Sequence, residues 1–286
     1  MADPSIDAGR TTRSRRRPPA SVLLAGGLLA TIVLAAIAAN WIAPFPSDEM
    51  HVRDRLMAPS LTYWAGTDEY GRDVLSRTLQ GSRLSLFLGF VATAIALLLG
   101  VPLGLTAGYC RGLVDELTMR GLEIVMSFPS LLFVLLILGV FPPSPLLTAA
   151  AIGIVFVPHV ARVVRSVTLD LMSGEFILAA QARGEHAAYI LFRELLPNLW
   201  PFIVVEGSLR VAFAILLGAV LSFLGFGVQP PAADWGLMLT TARDFASQAP
   251  WMALAPGLAM SLTVIAVSLV GDGLREHLDP AVRSRR

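Results

Sequence analysis

Six stretches of this chain are long, apolar and almost free of charge, and no other feature restricts its fold as much. A segment needs about 20 apolar residues to cross the ~30 Å hydrocarbon core of a bilayer. The runs are Ala20 to Ala43, with no charge; Leu84 to Tyr109, also uncharged; about Ile124 to Phe141; about Pro145 to Val164, with Arg162 near its end; about Leu199 to Phe226, which contains Glu206 and Arg210; and about Trp251 to Val270. They read as about six transmembrane helices, the third and fourth joined by a tight Pro142-Pro143-Ser144-Pro145 turn, and so as an all-α membrane protein. Composition agrees: 55% of residues are hydrophobic and 15% charged, where a soluble domain carries nearer a quarter charged.

Arginine placement orients the spans, because cytoplasmic segments carry the excess of basic residues. With the N-terminus inside, the inner segments hold Arg10, Arg13, Arg15, Arg16, Arg17, Arg111, Arg120, Arg162, Arg165, Arg183, Arg193, Arg275, Arg283, Arg285 and Arg286. The outer ones hold Arg53, Arg55, Arg72, Arg77, Arg83 and Arg243. Both termini are therefore expected in the cytoplasm. The expected organisation is a basic arm (1–19), a first helix (20–43), an extracytoplasmic loop (44–83), a core of helices 2–6 (84–271) that includes an inner loop (166–198), and a cytoplasmic tail (272–286). The arm's plain role is topology and contact with anionic lipid. The first span exceeds the ~7–15 residues of a signal-peptide h-region, which favours an uncleaved anchor.

All 22 basic residues are arginine. A phosphate-binding Walker A loop needs its lysine, so if ATP drives this protein another chain binds it. The single cysteine, Cys110, forms no internal disulfide, and His51, His159, His186 and His277 are too scattered to read as a metal site. A net charge of +1 gives no bulk attraction to nucleic acid.

Within the spans, Ala92, Ala96, Gly100, Gly104 and Gly108 recur every four residues and let another backbone approach one helix face. Intramolecular packing is the favoured reading and a subunit interface the sharper one. Pro102, Pro129, Pro158 and Pro256 interrupt four spans as kinks or hinges. Glu206 and Arg210, at i and i+4, are suited to pair, either as a structural pair near the interfacial end of the fifth helix or as a polar lining of a translocation path. In the outer loop, Thr67 is expected to cap an amphipathic helix starting at Asp68, with Arg72 on it and Asp73 and Arg77 paired. That helix would lie at the membrane surface, where bracing is favoured over contact with a binding protein.

The inner loop runs from Arg165 to Asn198. An Ala-rich helix is expected to end at Gly184, and a second short helix from about Glu185 exposes Ala187, Tyr189, Ile190 and Phe192, a surface suited to a partner. This segment resembles the "EAA loop" of ABC importer permeases. Ala179, Ala180, Gly184, Leu196 and Pro197 fall at that family's spacings, although Leu178 replaces its glutamate. Phe176, Ala179, Ala180, Ala182 and Gly184 match the variant of the peptide subfamily. Gly66-Thr67-Asp68-Glu69-Tyr70-Gly71-Arg72-Asp73 through Arg77 is similar to the outer signature of C-type subunits of dipeptide, oligopeptide and nickel permeases. Leu221 to Pro231 with Asp234-Trp235-Gly236, and Pro256-Gly257 through Asp279-Pro280, are similar to two further stretches of that family.

The resemblance implies a type I importer permease in a bacterial plasma membrane. It implies a coupling helix, formed by Ala179, Ala180, Gly184, Glu185, His186, Ala187, Tyr189 and Ile190, that docks on the ATPase. It also implies a second, B-type permease, cytoplasmic ATPase subunits that hold ATP and Mg, an extracytoplasmic binding protein and a peptide substrate. No catalytic residue and no cofactor are expected in this chain. The nearest rival is the same machine carrying nickel or another small solute. A secondary transporter is more remote, because neither an internal repeat nor an array of deep ionisable groups is present.

Overall fold

The structure, a computed structural model, describes residues 20–142 and 144–278. The basic arm and the last eight residues of the tail lie outside the described residues. Every regular element described is helical. In chain order they are α1 (Ala20–Ile37), α2 (Ala39–Ile42), α3 (Val74–Cys110), α4 (Gly112–Met126), α5 (Ser130–Val140), α6 (Pro145–Leu171), α7 (Glu175–Ala182), α8 (Ala187–Tyr189), α9 (Leu196–Phe223), α10 (Trp235–Asp244) and α11 (Trp251–Leu278). A π-helical turn, Ile190–Leu195, joins α8 to α9.

Among the described residues four helical stretches are long and apolar enough to cross a membrane: α3, α6, the run Ala187–Phe223 and α11. The third expected span is not one straight helix. α4 and α5 meet at 79°, and α5, with 11 residues, spans only about 16 Å. Pro129 is the cause. It lacks an N–H and its ring crowds the preceding turn, and Phe128 before it is pushed out of helical geometry. Counted as one bent span, the pair brings the total to five. The first run is also divided, at Ala38, into α1 and the short α2, and its described apolar part is shorter than the other spans. α1 still packs inward, with Ala36 in a cluster with Leu86, Val211, Ile215 and Val267.

The main core lies where α3, α6 and α9 meet, around Ala92, Ala96, Ile152, Val155, Val160, Ala214 and Leu221. The small residues of α3 make this possible. A Cβ on Gly104 would clash with the Ala161 carbonyl oxygen, and one on Gly100 would lie 2.7 Å from the Val160 Cβ. The stripe is therefore an intramolecular seam against α6, as the favoured reading had it. α3 has 37 residues, about 55 Å, so its first turns stand clear of the apolar layer and join the outer loop. Pro102, Pro158 and Pro256 lie inside continuous helices.

Candidate functional site

Three polar regions stand out: the segment leading into α3, the loop after α7, and an ion pair within α9. At the outer face, α3 starts six residues later than the sequence suggests. Its cap is Asp73, whose Oδ2 accepts from the Ser76 N–H at 2.8 Å and the Ser76 hydroxyl at 2.6 Å. The Thr67–Arg72 segment is a closed turn instead of a helix. Gly66 and Gly71 take positive φ of 73° and 75°, and Asp68 Oδ1 accepts from the backbone N–H groups of Tyr70 and Arg72, both at 2.9 Å. Such aspartate-led turns compete directly with helix formation.

The expected Asp73–Arg77 pair does not form. The Arg72 Nε donates to Asp68 Oδ2 at 2.6 Å and its Nη2 to Glu69 Oε1 at 3.1 Å. Arg77 Nε lies 3.5 Å from Asp68 Oδ2, and its Nη1 donates to the Ser47 carbonyl. All five charged side chains are buried, so this is an inward-facing ionic cap and not an amphipathic surface helix. One oxygen each of Glu69 and Asp73 is buried without a partner. Burial, with Asp68 alongside, pushes the Glu69 carboxyl above the ordinary carboxylate range despite its Arg72 contact.

Sequence reasoning missed the residue that ties this cap to the bundle. Asp234 is 2% exposed. It accepts from the Ser85 hydroxyl of α3 at 2.7 Å, from the Ser222 hydroxyl of α9 at 2.9 Å, and from the Leu237 N–H that opens α10. The neighbouring Trp235 indole donates to the Thr78 carbonyl. Trp251, which opens α11, donates to the Thr67 carbonyl. An aspartate immediately before a helix signals its N-cap role, but nothing local signals the two hydroxyls.

On the inner side, α7 ends in a Schellman motif. The Glu185 N–H bonds the Ala180 carbonyl and the Gly184 N–H bonds the Gln181 carbonyl, with Gly184 at φ +73°. Leu178, Ala179, Gly184, His186 and Ala187 are exposed, and Tyr189 and Glu185 are half-buried. Two expected docking residues are corrected: Ala180 and Ile190 are 0% and 1% exposed and pack into the main core. The second helix is not a separate stub either. It starts at Ala187 and runs through the π turn into α9, so the exposed loop is continuous with that long apolar helix.

At membrane depth, Arg210 Nε donates to Glu206 Oε1 at 2.7 Å. α9 begins at Leu196 and ends at Phe223, which puts Arg210 14 residues from one end and 13 from the other. Arg210 thus sits near the middle of α9, with Glu206 one turn before it. Among the described residues no three His, Cys, Asp or Glu side chains converge so as to hold a metal ion.

The chain is thus an all-helical bundle with an exposed, glycine-closed loop between α7 and α8. Residues 100–284 match the family described as binding-protein-dependent transport system inner membrane component, and the chain belongs to it. It is accordingly a multi-pass inner-membrane protein. It is 41% identical over 257 residues, 90% of its length and 84% of the relative's, to the dipeptide transport system permease protein DppC of Alkalihalophilus pseudofirmus. It is 38% identical to the di/tripeptide transport system permease protein DppC of Pseudomonas aeruginosa, covering 91% and 88% of the two chains. It is also 38% identical to the glutathione transport system permease protein GsiD of Pectobacterium atrosepticum, covering 92% and 88%. Its fold is similar to a chain of the MetNI methionine ABC transporter in inward-facing conformations, with TM-score 0.61 and 17% identity over 71% of this chain and 96% of that one.

Proposed function

We propose that this chain is the C-type membrane subunit of an ATP-driven importer for short peptides, and that it forms the translocation path with a second, B-type permease. The observation that carries this reading is the likeness, over about nine-tenths of the chain, to permeases named for dipeptide, di/tripeptide and glutathione transport. In this reading ATP and Mg are held by separate cytoplasmic ATPase subunits, and a binding protein delivers peptide at the outer face. The exposed loop around Leu178, Ala179, Gly184, His186, Ala187 and Tyr189 seats on the ATPase. ATP-driven closure pushes α8, and with it α9, because the two are continuous. Glu206 and Arg210 line the path, and the outer cap braces the external face.

Both termini lie in the cytoplasm in this arrangement. Reporter fusions after Arg286 and within Ser47–Ala58 are expected to read inside and outside respectively. The decisive test is uptake of labelled Ala-Ala into proteoliposomes that hold this chain with its permease, ATPase and binding-protein partners. ATP-dependent accumulation is expected. Accumulation of nickel in place of peptide, with the same set of subunits, would transfer the assignment to the small-solute reading.

A further inference from the structure

The Glu206–Arg210 pair is unequally satisfied. Glu206 is 7% exposed, and its Oε1 takes the Arg210 Nε. Guanidinium carries five N–H donors, and among the described residues neither Nη of Arg210 makes a hydrogen bond. Its faces are screened by rings: the Phe156 centroid of α6 lies 5.3 Å from the guanidinium carbon and that of Phe213 of α9 at 5.7 Å. Phe213 is half exposed. One turn after Phe156, His159 carries a buried Nδ1 with no hydrogen-bond partner among the described residues.

A purely structural pair within an apolar span would saturate both partners, because an unsatisfied cation in hydrocarbon is costly. Here the side of the guanidinium facing Glu206 is bonded and the Nη fork is not. That fork matches a carboxylate bidentately, which an ammonium or a hydroxyl does not do. We infer that the Nη edge of Arg210 binds the free α-carboxylate of a peptide in transit, with Glu206 as the positioning residue that fixes the guanidinium. This rests on the peptide reading above. Glu206 also keeps the net charge of the site near zero. A neutral site holds the carboxylate only weakly, as a pathway must if its cargo is to leave.

The test uses the complete importer in proteoliposomes with labelled Ala-Ala and its C-terminal amide, each supplied at the concentration that half-saturates the binding protein. Arg210→Gln is expected to lower free-acid uptake at least about tenfold, the effect of losing a charged hydrogen bond, and amide uptake by less than about twofold. Because that variant strands a buried Glu206, the double variant Arg210→Gln/Glu206→Gln is measured alongside and is expected to show the same collapse of the acid-to-amide ratio. An unchanged ratio in the double variant, whether both rates persist or fall together, would reduce Arg210 to a packing or subunit-contact role while leaving peptide import standing. Failure of the wild-type importer to accumulate either peptide would remove the peptide reading and this inference with it.

Discussion

The Thr67–Arg77 cap and the loop between α7 and α8 treat their polar residues in opposite ways. In the cap, Asp68, Arg72, Arg77 and Asp234 are all buried and bonded to one another, to backbone or to the hydroxyls of neighbouring helices. In the loop, Arg183 is half exposed and its contacts with Glu185 and Glu194 are long, 3.5 and 3.6 Å, while Leu178 and Phe192 are bare. A buried polar group must find its partners within the chain, so the cap's residues are dictated by the fold. The loop's backbone is satisfied by its Schellman closure and its apolar side chains are not, so what it lacks is a partner. One region is finished within this subunit, and the other leaves apolar side chains uncovered.

The sharpest way to break that contrast is to remove one arginine from each side. Arg72→Met leaves Asp68 and Glu69 buried without their main counter-charge, and is expected to cost about 3–5 kcal/mol. Arg183→Met removes only exposed contacts and is expected to cost less than about 1 kcal/mol. Thermal unfolding of the two variants in detergent checks both. Equal shifts would mean that the cap is no more integral to the fold than the loop.

Legibility followed the range of the interactions. The apolar runs and the Gly184 turn were readable because each is decided within a few residues. The start of α3 was not. Thr67 and Asp73 are both eligible caps, and the choice rests on Asp68 drawing the Tyr70 and Arg72 N–H groups into a turn between two positive-φ glycines. Pro129 was visible as an interruption, but the 79° bend it causes was not. Asp234 was the least readable, because Ser85 lies 149 residues away along the chain. At the coupling loop, composition revealed an apolar stub. Only packing against the main core separates the buried Ile190 and Ala180 from the exposed Ala179 and Ala187.

The contrast is sharpened next at Gly184. No atom lies within 4 Å of a Cβ built there, so substitution meets only the backbone penalty of the left-handed conformation, about 1–2 kcal/mol for an ordinary L-residue. Asparagine tolerates that conformation far better than a β-branched residue. Gly184→Asn is therefore expected to retain ATPase co-purification and peptide uptake. Gly184→Val should insert into the membrane and lose most of both. Equal loss in the two variants would point to a direct contact that any side chain blocks, and normal behaviour of both would make the loop a simple connector.

The smallest expected effect tests whether the cap, though closed, is fully satisfied. Glu69 accepts from Arg72 through Oε1, but its Oε2 is buried and unpartnered, and burial holds its folded pKa above the ordinary carboxylate value. An acid with a raised folded pKa binds its proton more tightly in the native state than in the unfolded chain. Stability therefore falls as pH rises from about 4.3, the unfolded value, through the folded value, and the deficit stays constant above it. Glu69→Gln removes that titration while keeping an oxygen for Arg72. The stability of the wild type minus that of Glu69→Gln, measured in detergent from pH 4 to 8, is expected to decline with rising pH and then level, with a total change of about 1.4 kcal/mol per pKa unit. A difference that increases with pH would mean that the Arg72 pair outweighs burial. In that case Glu69 would be a stabilising partner at neutral pH, and the outer cap would be as complete in its charges as it is in its packing.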